Sequence, residues 1–142
     1  MRVDDLNAVL AIEYASYPFP WTRGNFADSI ESGYEAWVLR DASDTVLGYF
    51  LMMLAIDEAH LLNITVRSDL QGRGLGRFLL DKAMKIAQQN EMHSVLLEVR
   101  PSNQRALTVY QKAGFKTIGT RKNYYPAPGS TREDAIVMKR EL

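Results

Sequence analysis

Three features of this sequence could do chemistry together. Gln71-Gly72-Arg73-Gly74-Leu75-Gly76-Arg77 stands between an aliphatic segment and an amphipathic one. Glycines let backbone amides approach a ligand, and a helix start adds free N–H donors and partial positive charge, so a pyrophosphate suits such a loop. Arg73 and Arg77 could add charge; the alternative reading of a lone glycine cluster is that it only turns the chain. Glu98 interrupts the aliphatic run Val95–Val99. A carboxylate there is costly to bury unless it has a partner, water or a task, and Arg100 on the same strand face offers a simple pair. Tyr110 falls on the inner stripe of a helix, where packing explains an aromatic. Its phenol, titrating near about 10, is also matched to protonating a thiolate whose thiol titrates near about 8.5.

Composition narrows the chemistry. There is no cysteine, which excludes a thiolate nucleophile, a disulfide framework and cysteine-ligated zinc. His60 and His93 lack metal-ligand spacing and read as structural or solvated, so no metal is expected. Seventeen basic residues balance seventeen acidic ones, leaving no global field for nucleic acid or an anionic membrane. The longest apolar stretch, Tyr49 to Ile56, falls far short of the roughly 20 residues of a membrane span, and the first residues resemble no signal peptide. A cytoplasmic protein is the expectation. With 46% hydrophobic and 24% charged residues over 142 positions, one globular domain spanning residues 1–142 is expected.

The elements that must position these groups follow from periodicity. Leu6, Val9, Leu10, Ile12 and Glu13-Tyr14 mark a helix that stops before the rigid loop Pro18-Phe19-Pro20-Trp21. Thr22 can cap a second helix ending at Gly33. Glu35–Arg40, Val46–Ile56 and His60–Val66 read as an antiparallel meander. Leu75, Leu79, Ala83 and Ile86 form one helical stripe, and Val95–Val99, apolar on both faces, reads as a central strand parallel to its predecessor. Asn103 opens a helix closed by Gly114, strands follow at Phe115–Thr120 and Ala135–Arg140, and Tyr124–Thr131 reads as a functional loop.

Two rivals for the glycine loop are disfavoured. A triphosphate P-loop ends in Gly-Lys-Ser or Gly-Lys-Thr, which is absent, and a Rossmann loop belongs to the first strand–helix unit of a parallel sheet. Instead, the Gln-x-x-Gly-x-Gly loop, Asn103-Gln104-Arg105-Ala106 and Tyr110 with Gly114-Phe115 together resemble the GCN5-related N-acetyltransferase (GNAT) superfamily. Pro20-Trp21, Asn63-Ile64-Thr65-Val66, Leu97-Glu98-Val99-Arg100, Asn123-Tyr124-Tyr125-Pro126 and Glu133-Asp134-Ala135 resemble its bacterial RimI type, the ribosomal-protein-alanine N-acetyltransferases. The resemblance covers nearly the whole chain and departs at the front, where the family's first strand has too few residues.

That resemblance implies an α/β (α+β) fold with a mixed, mostly antiparallel sheet splayed between its fourth and fifth strands and flanked by helices. It implies acetyl-CoA as cosubstrate, with the diphosphate on Gly72, Arg73, Gly74, Leu75, Gly76 and Arg77, and Asn103 touching CoA besides capping its helix. Backbone amides of Ile64, Thr65 and Val66 would hold the acetyl carbonyl. Glu98 would be the general base and Tyr110 the general acid. Trp21, Tyr124 and Tyr125 are candidate walls for the acceptor, although packing explains them equally well.

An acceptor amine must be neutral to attack. An α-amine near about 7.7 to 8.0 is far more often neutral at pH 7 than a lysine near about 10.4, which favours a protein N-terminus. The resemblance implies the N-terminal alanine of small-subunit ribosomal protein eighteen; without a cysteine, direct transfer in a ternary complex is expected, as is a monomer with no nucleic acid or membrane partner. Lysine or small-amine acetylation, and a non-catalytic acyl-CoA sensor, are the alternatives.

Overall fold

The computed structural model describes residues 1–142. A short 3₁₀ turn at Val3–Asp5 leads into α1 (Leu6–Ser16), followed by α2 (Arg23–Glu31), β1 (Glu35–Arg40), β2 (Val46–Leu54) and β3 (Glu58–Val66). Then come α3 (Leu75–Gln89), β4 (Ser94–Val99), α4 (Gln104–Lys112), β5 (Lys116–Ala127) and β6 (Thr131–Glu141). No helix is long and apolar enough to cross a membrane.

Local chemistry sets the helix ends. Thr22 Oγ1 accepts from Asn25 N–H at 3.2 Å while Asn25 Oδ1 accepts from Thr22 N–H at 2.9 Å, a reciprocal cap on α2. Asn103 Oδ1 likewise accepts from Ala106 N–H at 3.2 Å at the start of α4. The chain leaves α4 through Gly114 at φ +93°, a left-handed turn that glycine adopts without a Cβ penalty.

The six strands form one sheet in the order β1-β2-β3-β4-β6-β5. Only β3 and β4 run parallel; every other neighbouring pair is antiparallel. β2 is apolar on both faces because both faces are covered: Phe50 and Met52 pack with α3, while Tyr49 and Leu51 pack with Leu6, Val9 and Phe26 under α1 and α2. Gly48 lies where β2, β3 and α3 meet. A Cβ there would stand 2.7 Å from the Thr65 carbonyl oxygen and 3.1 Å from Leu79 Cδ1. Gly48→Ala is therefore expected to destabilise by about 1–3 kcal/mol, read as a lower denaturant midpoint at unchanged slope.

The parallel pairing of β3 with β4 runs from Glu58↔Ser94 to Leu61↔Leu97 and stops. Beyond it β3 continues beside β2 to Val66, while β4 continues beside β6 to Val99, so the two strands part and a wedge opens in mid-sheet. This is the splay that the resemblance implies, shifted by one count. No strand precedes α1, so it falls between the third and fourth strands of this chain rather than the fourth and fifth.

One other expectation changes. The stretch Tyr124–Thr131 is mostly strand: β5 runs to Ala127, β6 begins at Thr131, and only Pro128–Ser130 turns. Pro126 misled because it cannot donate to a ladder, but β5 is an edge strand, where a missing N–H goes unnoticed. β5 also bulges: Arg121 pairs with Ala135 and Tyr125 with Glu133, so three residues oppose Asp134 alone, with Asn123 at φ +52°.

Candidate active site

The wedge between β3 and β4 is the mouth of a cleft of about 380 Å³. Glu98 is the first β4 residue beyond the paired stretch, and it lines the cleft together with Ile64 from β3 and Tyr110 from α4. Alternate groups of an extended strand point to opposite sides. Beyond Leu61, the backbone amides of β3 that face away from β2 therefore have no strand opposite them. They are available to a carbonyl oxygen entering the wedge.

Glu98 has different partners from the one its own strand suggests. Arg100, two residues on and so roughly 6.6 Å along the strand, donates instead to Glu133 at 3.1 Å and to the Pro126 carbonyl at 2.9 Å. Its guanidinium also stacks 4.4 Å from the Tyr125 ring. His60 Nε2 meets Glu98 Oε2 at 2.8 Å, and Arg121 Nε lies 3.3 Å from Oε1. The His60 hydrogen bond is the largest influence on this carboxyl. Together with the electrostatic pull of His60 and Arg121 it outweighs partial desolvation and holds Glu98 below the usual carboxylate range. Glu98 is ionised at neutral pH.

Tyr110 packs its ring 5.9 Å from Phe115. Burial, with the neighbouring hydroxyls of Tyr17 and Tyr125, pushes its phenol well above 10. It stays protonated through the alkaline range and can donate, though as a weaker acid than a free phenol.

The start of α3 is shaped to receive an anion. Gly72 and Gly74 both sit at φ +81°, the left-handed region open to glycine. The first helical hydrogen bond runs from Phe78 N–H to the Gly74 carbonyl, which leaves the amides of Leu75, Gly76 and Arg77 without helical partners. Arg105 reaches this turn from α4, its guanidinium 3.9 Å from where a Cβ on Gly72 would be. The Arg77 side chain, by contrast, turns down the helix to Asp81 at 2.9 Å and offers the loop only its backbone.

At the other end of the cleft a buried network joins the aromatic loop to β3. Glu13, 1% exposed, accepts from Tyr49 O–H at 2.6 Å, Asn63 Nδ2 at 3.1 Å and Trp21 N–H at 2.9 Å. Thr65 Oγ1 donates to Asn63 Oδ1 at 2.8 Å and pairs with the Tyr17 hydroxyl at 2.7 Å. Burial pushes Tyr17 up to about 12, against the Thr65 hydrogen bond and with the Glu13 charge adding. The Thr65 side chain is spent in this network and its N–H is directed at β2, so of the Ile64, Thr65 and Val66 amides only those of Ile64 and Val66 face away from β2.

The structure thus brings together Glu98, Tyr110, Asn103, Ile64, Trp21 and Tyr125 around one cleft. Tyr124 is not among the lining residues: the β5 bulge sends it outward, 43% exposed, with its ring edge-on to Tyr125 at 4.9 Å. His60, read as structural or solvated, is instead bonded to Glu98. Glu13, Tyr17 and Arg121 were not assigned to the site by the sequence, and Glu133 stood out there only within the Glu133-Asp134-Ala135 motif; Glu13 left a signal as a carboxylate on the apolar stripe of α1.

Against known proteins, residues 6–115 match the model of the acetyltransferase (GNAT) family. The chain is 35% identical over 138 residues to the [ribosomal protein bS18]-alanine N-acetyltransferase of Escherichia coli strain K12, covering 97% of this chain and 92% of that protein. It is 37% identical, with the same coverage, to the enzyme of that name from Salmonella typhimurium strain LT2. The crystal structure of the Escherichia coli ribosomal-protein-S18-alanine N-acetyltransferase superposes with a TM-score of 0.91 at 34% identity, over 100% of this chain and 90% of that one. With three quarters of its length under the family model and relatives of this closeness end to end, the chain belongs to the acetyltransferase (GNAT) family.

Proposed function

We propose that this chain, as one N-acetyltransferase domain, acetylates the α-amine of a protein N-terminus, namely the N-terminal alanine of ribosomal protein bS18, using acetyl-CoA. The observation that carries the reading is the meeting, at one mid-sheet wedge, of an ionised carboxylate, a protonated phenol and unpaired strand amides. The printed names of the relatives from Escherichia coli and Salmonella typhimurium support the acceptor.

The turn at the start of α3 fits a diphosphate, because two left-handed glycines leave the backbone uncovered beside three amides that have no helical partner. Gly72, Gly74, Leu75, Gly76 and Arg77 hold it through the backbone, Arg73 and Arg105 add charge, and Asn103 contacts CoA through its amide nitrogen while its oxygen caps α4. Acetyl-CoA, when bound, supplies the activated acyl group and a thiolate leaving group. Of Ile64, Thr65 and Val66, the backbone N–H groups of Ile64 and Val66 face away from β2 and donate to the acyl oxygen as negative charge develops on it, whereas the Thr65 N–H is directed at β2. Glu98 takes the proton from the acceptor nitrogen, and Tyr110 returns one to the departing sulfur. Trp21 and Tyr125 wall the acceptor end; Tyr124 backs Tyr125 rather than touching the acceptor.

The test compares a bS18 N-terminal peptide with an Nα-blocked peptide bearing lysine. At pH 7 roughly a tenth of an α-amine but under a thousandth of a lysine is neutral, so kcat/KM is expected to favour the free N-terminus by about 100-fold or more. Equal or faster acetylation of lysine would move the assignment to a lysine or small-amine acetyltransferase. Binding of acetyl-CoA without any turnover would make the protein a sensor.

A further inference from the structure

Glu98 stands at a junction. Up to Leu97 its strand is zipped to β3; at Glu98 that support ends, and the side chain projects into the wedge. His60 sits on the zipped side of the same junction, paired in register with Leu96. Leu96 and Glu98 share a face of β4, so the imidazole and the carboxylate lie on one side of the sheet, bridging the point where it opens.

The His60 contact is the single hydrogen bond that the Glu98 carboxylate makes. An ionised carboxylate has no proton to give, so Nε2–H donates, which fixes both the imidazole tautomer and the direction of Oε2. The second oxygen faces Arg121, whose side chain is 57% exposed on an edge strand and approaches only to 3.3 Å. The other charged or titratable groups around the carboxylate are otherwise engaged or neutral. Arg100 is bound to Glu133 of β6. Tyr125 of β5 and Tyr110 of α4 are held protonated by burial, and Lys139 of β6 is paired with Glu58 at 3.0 Å.

We propose that His60 is the positioning residue of the catalytic carboxylate: its Nε2–H locks Oε2 of Glu98 across the wedge, so that Oε1 is presented to the acceptor amine. This rests on the reading of Glu98 as the base. The same hydrogen bond favours the charged carboxylate, so its loss lets partial desolvation raise the proton affinity of Glu98.

The experiment uses the full chain with His60→Phe, His60→Gln and Glu98→Gln. It measures kcat, both KM values and the titration of the Glu98 carboxyl carbon by NMR, the resonance being assigned by its absence in Glu98→Gln. Removing one hydrogen bond to a charged group is expected to lower kcat in His60→Phe by about ten- to a hundredfold, with KM for acetyl-CoA within about twofold. The Glu98 midpoint moves upward. His60→Gln, which keeps an N–H donor, recovers most of the rate and holds the midpoint down. His60→Ala carries the same expectation as His60→Phe if the larger ring is not accommodated.

Wild-type kcat and an unmoved Glu98 titration in both donor-free variants would overturn the proposal. So would a rate loss with an unmoved titration that Gln does not rescue, since that is the mark of packing alone. If Glu98→Gln itself kept the wild-type rate, the base assignment would fail, and this proposal with it. If Glu98→Gln were inactive while His60→Phe was unaffected, only the role of His60 would be lost.

Discussion

Glu98→Gln is expected to lower kcat by about 10²–10⁴-fold while leaving acetyl-CoA affinity within about threefold, measured by steady-state kinetics alongside calorimetric binding. The amide keeps the shape of the carboxylate, so β4 and its pairing with Val137 should be undisturbed. What is lost is a proton acceptor at the wedge. The carboxylate is held below its usual range, so it is far too weak to strip a free ammonium that titrates near about 8. It becomes adequate once the nitrogen has begun to bond to the acyl carbon, because that nitrogen is then strongly acidic. As the proposed base, Glu98 would therefore act during attack and not before it.

The pH dependence carries the same sign. A depressed pKa means the charged form persists down through the ordinary carboxylate value of about 4.3, so protonation of Glu98 should not limit the rate between pH 6 and 9, a window set by reference values. Wild-type kcat/KM should instead climb with the neutral fraction of the acceptor amine and level off above about pH 8. Glu98→Gln should keep that limb at a much lower rate. A wild-type limb near pH 4 to 5 that disappears in the variant, with no dependence near pH 8, would contradict this order of events.

The second large effect is expected at Tyr110. Tyr110→Phe preserves the ring on Phe115, so stability should hardly change, yet kcat is expected to fall by about 10²-fold through loss of the proton donor. Burial has moved this phenol further from the thiol than free values suggest, which makes donation more uphill but keeps the proton in place across the alkaline range. A thioester whose thiol is more acidic needs less help to leave. The variant should therefore recover part of its rate with such an acyl donor, whereas a merely mispacked site would not. Similar losses with both donors would return Tyr110 to a packing role.

The aromatic loop illustrates how the fold couples the two ends of the cleft. Glu13 holds the Trp21 backbone and the Asn63 side chain at once, so the proposed acceptor wall and the strand proposed to receive the acetyl carbonyl are anchored to one buried carboxylate. Displacing the wall would strain β3 through Asn63 and Thr65.

The parts legible in the sequence are those decided within a few residues. The turn at Gly72 and Gly74 announces itself because left-handed backbone demands glycine, and the free amides of α3 follow from any helix start. Glu98 was visible as a charge inside an aliphatic strand, and the double-sided apolar character of β4 marked a central strand. The partner of Glu98 was not visible. Arg100 was the neighbour along the chain, but His60 and Arg121 are brought to the carboxylate by strand register, and register is set by packing across the whole sheet. For the same reason Tyr124 and Tyr125 were indistinguishable as letters: a bulge opposite Asp134 turns one inward and the other out. Short-range sterics wrote the cradle and the strands into the sequence, whereas the hydrogen bonds that tune the carboxylate and shape the acceptor wall arose only when distant segments were packed into contact.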